Sequence, residues 1–237
     1  MRGKAGVGKR LDRRRGSFKD STGVFTQAYY VPADMNQLGP LVARGRPREF
    51  CVHEALAKAL RVFWSKGYEA ASLTDLTEAM GITRPSLYAA FGNKESLFRK
   101  ALELYECEKM SYVGNALAKP TARAVAETML RGAVEAMTGK DDPHGCLRVI
   151  ATATCGDEAQ SIREELDKRG QVIRQSIVER FEHARAEGDL PAHIDVEGLT
   201  DLLKAMLQGI SMQAAAGATR KELERIVDTG LAMWPSS

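Results

Sequence analysis

Between Ser72 and Gly92 the chain leaves room for two helices of about two turns each and almost nothing to join them. In "SLTDLTEAMG", Ser72 and Asp75 have the S-x-x-D spacing of a capping box, in which a hydroxyl and a carboxylate take up backbone N–H groups that a first helical turn leaves unmet. Gly81 supplies the stop, and Leu73, Leu76 and Met80 are expected to face inward. "ITRPSLYAAFG" follows at once, with Thr83 as N-cap, Arg84 and Pro85 in the first turn, where a missing N–H is harmless, and Gly92 as the break. Two short helices joined by a tight turn make a helix-turn-helix. A longer helix precedes them. In "FCVHEALAKALRVFWSKGYEAASL", Val52, Leu56, Leu60 and Phe63 form one apolar face with Trp64 at its edge, and Gly67 is expected to end the helix.

Leu87 and Phe91 lie four residues apart and pack inward, which turns Arg84, Pro85, Ser86, Tyr88 and Ala89 outward or toward the helix N-terminus. A slim, mostly uncharged face of this kind fits the DNA major groove, which is about 12 Å wide and admits one helix. Arg84 suits a guanine edge, Ser86 a base or phosphate, Pro85 or Ala89 a thymine methyl, and Tyr88 a phosphate. Asn93 is expected to cap the next helix and bring Lys94 to the DNA backbone. Small exposed residues are equally what any short helix shows to solvent. Charge is uneven: residues 1–43 carry eight Lys/Arg against three Asp/Glu, residues 44–100 ten against six, and residues 101–237 sixteen against twenty-two. A basic front and an acidic back suit a protein that offers one end to phosphates, although a solvated charge gradient reads the same way.

Residues 45–100 resemble the DNA-binding domain of the TetR family of transcriptional regulators. The resemblance is carried by "GRPRE", by "FWSKGYEAASLTDLTEAMGITRPSLYAAFGNKESLF" and, within it, by the G-Y-x-x-x-S-L spacing, the L-Y pair and the F-x-N-K-E-x-L-F run. It implies that the third helix reads the major groove through Thr83, Arg84, Pro85, Ser86, Tyr88 and Ala89, with Lys94 on a phosphate and Arg46 and Arg48 reaching the backbone or minor groove. The sequence departs from the family pattern in a long N-terminal extension and in Ala90, where many members carry a bulkier polar residue.

The rest reads as helices, so the fold class is all-α: a three-helix DNA-binding domain over residues 46–100 and a helical effector-binding and dimerisation domain over 101–237. "KESLFRKALELYECEKMSYVGNALA" is expected to run as one continuous helix from the first domain into the second. Residues 1–45 have no sustained period and several breakers, and are expected to be a disordered basic tail. They are either an over-long start, with Met35 as the true one, or an arm that adds phosphate contacts. Leu199, Leu202, Leu203, Met206, Leu207 and Ile210 form a stripe beside small residues. It is the subunit's own core, a homodimer interface, or both; the resemblance implies a four-helix interface from the last two long helices of each subunit. The resemblance also implies an effector cavity, for which Met110, Val113, Met129, Val134, Met137, Cys146, Val149 and Phe181 are the apolar candidates, although such residues are also ordinary core.

Cys51, Cys107, Cys146 and Cys155 lack C-x-x-C spacing, so neither a disulfide framework nor a zinc site is expected; Cys146 beside His144 suggests a thiol or metal sensor less well than a buried thiol. No membrane span, secretory signal, nucleotide loop or G-x-S-x-G elbow is present, and His144 and His183 have no orienting neighbour for an enzyme's nucleophile pair. The expectation is a cytoplasmic, non-enzymatic DNA-binding regulator without cofactor or metal: a dimeric repressor of a palindromic double-stranded operator, released by a small-molecule effector. A helical protein-interaction module or a thiol-based sensor is the alternative.

Overall fold

The computed structural model describes residues 50–156 and 159–235, and among them the regular elements are α-helices with no strand. They are α1 (Val52–Ala70), α2 (Leu73–Met80), α3 (Arg84–Phe91), α4 (Lys94–Lys109), α5 (Ser111–Leu117), α6 (Ala122–Met137), α7 (Leu147–Thr154), α8 (Gln160–Ala186), α9 (Val196–Ala215) and α10 (Arg220–Ala232).

α1 buries Leu56, Leu60 and Phe63 as its periodicity predicts. Trp64, expected at the edge of that face, is instead fully buried: its Nε1–H donates to the Gly145 carbonyl at 2.9 Å and its indole meets the Tyr105 ring edge-on at 4.8 Å. The hydrogen bond is what lets an indole N–H leave water. Gly67 interrupts α1 rather than ending it, with φ 77° and ψ 176°, and one more turn reaches Ala70. That conformation suits glycine, and a Cβ there would stand 2.2 Å from the Thr154 hydroxyl of α7.

The helix expected to be continuous from Lys94 is broken. Met110 leaves helical geometry at φ −111° and ψ 15°, and α5 starts afresh at Ser111. α5 lies on α6 where Gly132 has no side chain, and a Cβ there would come within 2.5 Å of Tyr112. No glycine or proline stands at the break itself, although Ser111, Tyr112, Val113 and Gly114 just beyond it are weak helix formers.

A single apolar core runs from α1 through α6 to α10, with Phe63, Phe98, Met129, Leu147, Phe181 and Leu203 all fully buried. Each such side chain contributes about 1.5–3 kcal/mol by leaving water. Beside this core, charged groups tie α4 to α8: Arg169 reaches Glu106 at 2.5 Å and Glu165 at 2.6 Å, and Arg99 pairs with Glu165 and with Glu95.

Candidate nucleic-acid interface

α2 begins on a reciprocal cap. The Asp75 backbone N–H donates to the Ser72 hydroxyl at 3.0 Å, while the Asp75 carboxylate accepts from the Ser72 backbone N–H at 2.9 Å and from its hydroxyl at 2.8 Å. The other carboxylate oxygen accepts from Lys66 of α1 at 2.7 Å. Lys66 first, then Ser72, holds the Asp75 carboxyl at about 2, well below its ordinary value. α2 ends on Gly81 at φ 69°, a left-handed turn that only glycine adopts without strain. The turn is closed by Gly81 N–H to Glu78 O and Ile82 N–H to Thr77 O, each at 3.1 Å.

α3 starts where the sequence predicts. The Thr83 hydroxyl accepts the Ser86 backbone N–H at 3.3 Å, and Pro85 stands in the first turn. Leu87 and Phe91 are buried and anchor the helix, leaving Thr83, Arg84, Pro85, Tyr88 and Ala89 exposed and Ser86 half-buried. Arg84 donates from Nη2 to the Thr74 hydroxyl of α2 at 2.9 Å, a contact that spacing along one helix does not reveal. Ala90 is half-buried against the core, so it offers no long side chain to the outside.

Asn93 caps α4 by accepting the Ser96 N–H at 2.7 Å. Lys94 stands at the expected first turn but is partly engaged already: Nζ donates to the Glu69 carbonyl at 3.1 Å and lies 4.7 Å from the centre of the Tyr68 ring. Partial burial lowers its pKa from the ordinary lysine value. Arg46 and Arg48 lie outside the described residues, as does the whole segment expected to be a disordered tail.

The α9 stripe divides. Leu199, Leu203 and Ile210 are buried within the chain's own core, Met206 and Leu207 are half-buried, and Leu202 is 53% exposed. The face that points outward is Leu202, Ala205, Gly209, Met212 and Ala216, spaced three, four, three and four, and a Cβ added at Gly209 would meet nothing. Of the sequence-predicted stripe, Leu202 lies on this outward face, while Met206 and Leu207 lie beside it.

The effector candidates Met110, Val113, Met129, Val134, Met137, Cys146 and Phe181 are all buried, with Val149 packed against them. None lines the hollow of about 340 Å³ that Trp64, Ser65, His144, Ile150, Thr154 and Met212 wall between α1, α7 and α9. Cys146 and Cys155 are buried thiols, and burial first, then Glu69, raises the pKa of Cys155. No group of His, Cys, Asp and Glu suited to a metal ion occurs among the described residues, nor is any helix long and apolar enough to cross a membrane.

Comparison with known proteins agrees with this geometry. Residues 55–101 match the family of bacterial regulatory proteins, tetR family, and residues 123–229 match the tetracyclin repressor-like C-terminal domain. The HTH-type transcriptional repressor ComR of Escherichia coli (strain K12) is 37% identical over 205 residues, 81% of this chain and 93% of its own length. The solved TetR family transcriptional regulator CifR, a cysteine mutant complexed with 26 bp double-strand operator DNA, is 41% identical with a TM-score of 0.75, covering 80% of this chain and 100% of that one. A TetR regulator from Rhodococcus sp. RHA1 is 40% identical, covering 77% of this chain and 98% of that one, with a TM-score of 0.55. The chain belongs to the TetR family, as a DNA-binding transcriptional regulator with an N-terminal helix-turn-helix.

Proposed function

We propose that the chain is a repressor that binds a palindromic double-stranded operator as a homodimer, with α3 of each subunit in the major groove, and that a small-molecule effector releases it. The observation that carries this reading is the outward face of α3, where exposed Arg84, Pro85, Tyr88 and Ala89 surround a helix anchored from behind by Leu87 and Phe91. Its roles follow from chemistry: Arg84 for a guanine edge, Thr83, Ser86 and Tyr88 for bases or phosphates, Pro85 and Ala89 for apolar contact with a thymine methyl. Lys94 gives one of its three N–H donors to Glu69 and keeps two for a phosphate. Arg46 and Arg48 are assigned to the DNA backbone or minor groove.

One eight-residue reading helix makes too few base contacts for a unique site, and a two-fold pair spaced about 34–36 Å apart doubles them. The outward strip of α9 is the natural contact for the second copy, because Ala205, Gly209 and Ala216 let a partner helix approach closely. In this reading residues 46–100 are the DNA-binding domain and 101–237 the effector and dimer domain, the protein works in the cytoplasm, and no catalytic role is assigned to it. Because the apolar candidates for effector contact are packed, an effector among them has to part α5, α6 and α8 and so displace α4, to which α8 is tied by Arg99 and Arg169. Switching from 1:99 to 99:1 takes about 10⁴-fold preference for one state, so a weakly discriminating ligand does not release it.

Binding to the native upstream DNA, measured by band-shift through a salt titration, tests this. Affinity should fall steeply with salt, and Arg84→Ala should remove about 1–3 kcal/mol of discrimination at one base pair of each half-site. Weak binding to every duplex by both forms, or a monomer at all working concentrations, overturns the reading.

A further inference from the structure

Thr74 lies in the first turn of α2, on backbone fixed from both sides. The Ser72–Asp75 box closes the helix start, and Asp75 is held in turn by Lys66 of α1. Arg84 opens α3 on the far side of a turn whose geometry Gly81 and Ile82 set by hydrogen bonds back to Glu78 and Thr77. The one described partner of the Arg84 guanidinium is the Thr74 hydroxyl, at 2.9 Å.

The chemistry of that partner matters. A carboxylate at position 74 would neutralise the guanidinium and compete with DNA for it. A hydroxyl restrains one of five N–H donors, keeps the positive charge, and leaves four donors for the O6/N7 edge of a guanine. An exposed arginine otherwise has many rotamers, and reading one base edge requires that most of them be given up.

We propose that Thr74 is a positioning residue for base recognition: its hydroxyl aims the Arg84 guanidinium, so discrimination at the base pair that Arg84 reads depends on residue 74, which itself touches no base. This rests on the reading of Arg84 as a base contact. Two helices then contribute to one step of recognition, α3 the reader and α2 its support.

The test uses the full-length protein and competition binding to its promoter duplex and to every single-base-pair variant of the bound site, at fixed salt. Arg84→Ala identifies the dependent base pair by flattening preference there. Thr74→Val, which keeps the shape and removes the hydroxyl, should cut discrimination at that same base pair by roughly 2- to 10-fold while leaving other positions and the salt slope unchanged. Thr74→Ser, which keeps the hydroxyl, should restore it, and Thr74→Val added to Arg84→Ala should change that position no further. Equal weakening on all duplexes with a shallower salt slope would make Thr74 a phosphate contact and overturn the proposal, as would unaltered discrimination in Thr74→Val. If Arg84→Ala flattens no position, the base-reading role of Arg84 fails, and the role of Thr74 falls with it.

Discussion

α3 and α9 each turn one face to solvent in the single chain, and the two faces are chemically opposite. On α3 the exposed groups are a guanidinium, a phenol, hydroxyls and small patches of apolar surface, so that most of the hydrogen-bonding groups there stay solvated until another polar surface replaces the water. On α9 the outward strip holds exposed Leu202 and Met212 with Ala205 and the half-buried Gly209 between them and Ala216 just beyond the helix end, apolar surface that gains by being covered. In the proposed reading the first face meets a wet, charged partner whose contacts weaken with salt, and the second meets another helix through contacts that salt screens little.

Breaking the second face should have the largest effect. Leu202→Glu places carboxylates from both subunits near the two-fold axis of the proposed dimer, which costs several kcal/mol and should raise the dimer dissociation constant at least ~100-fold. Sedimentation should then report monomers, and operator binding should be lost although the melting curve of the subunit is little changed. Retained dimers would move the interface elsewhere on the surface. Next comes the support behind the proposed reading face. Leu87→Ala removes one of the two buried side chains that anchor α3 and should cost about 2–5 kcal/mol, seen as faster hydrogen exchange in α2 and α3 and weaker binding to every duplex alike, in contrast to the position-specific loss from Arg84→Ala.

The smallest effect is a pH dependence. Because the folded pKa of Asp75 lies at about 2, below its unfolded value, its contribution is fully present above roughly pH 4 and is lost as pH falls toward 2. Asp75→Asn should therefore flatten the acid limb of stability in that window and leave the neutral limb parallel to that of the parent. An unchanged acid limb would mean that the Lys66 and Ser72 contacts do not hold Asp75 in solution.

Legibility in the sequence follows the same division. The limits of α2 and α3 are written locally, in Ser72, Asp75, Gly81, Thr83 and Gly92, because caps and left-handed turns are decided by the residues that form them. The break at Met110 is written only faintly, since helix formers such as Leu104, Glu106 and Lys109 lead up to it and only the weaker formers Ser111, Tyr112 and Val113 follow, with no glycine or proline at the break itself. The outward register of α9 is ambiguous in the sequence because apolar residues lie on more than one face, and the packing of α6, α7, α8 and α10 decides which of them remain outside. Apolar identity likewise marks Met129 and Phe181 as interior without telling a filled interior from a hollow one. The Thr74–Arg84 contact joins two helices across a turn, so no single-helix periodicity contains it.

Trp64 carries a practical consequence. The chain holds two tryptophans, and this one is hydrogen-bonded to Gly145 at the joint between α1 and the loop ahead of α7, while Trp234 packs on Phe181 after α10. With Trp234→Phe, the remaining indole becomes a label-free optical gauge of that joint: its emission wavelength and quenching follow, in real time and in dilute solution, any event that pulls the DNA-reading end of the molecule away from the rest.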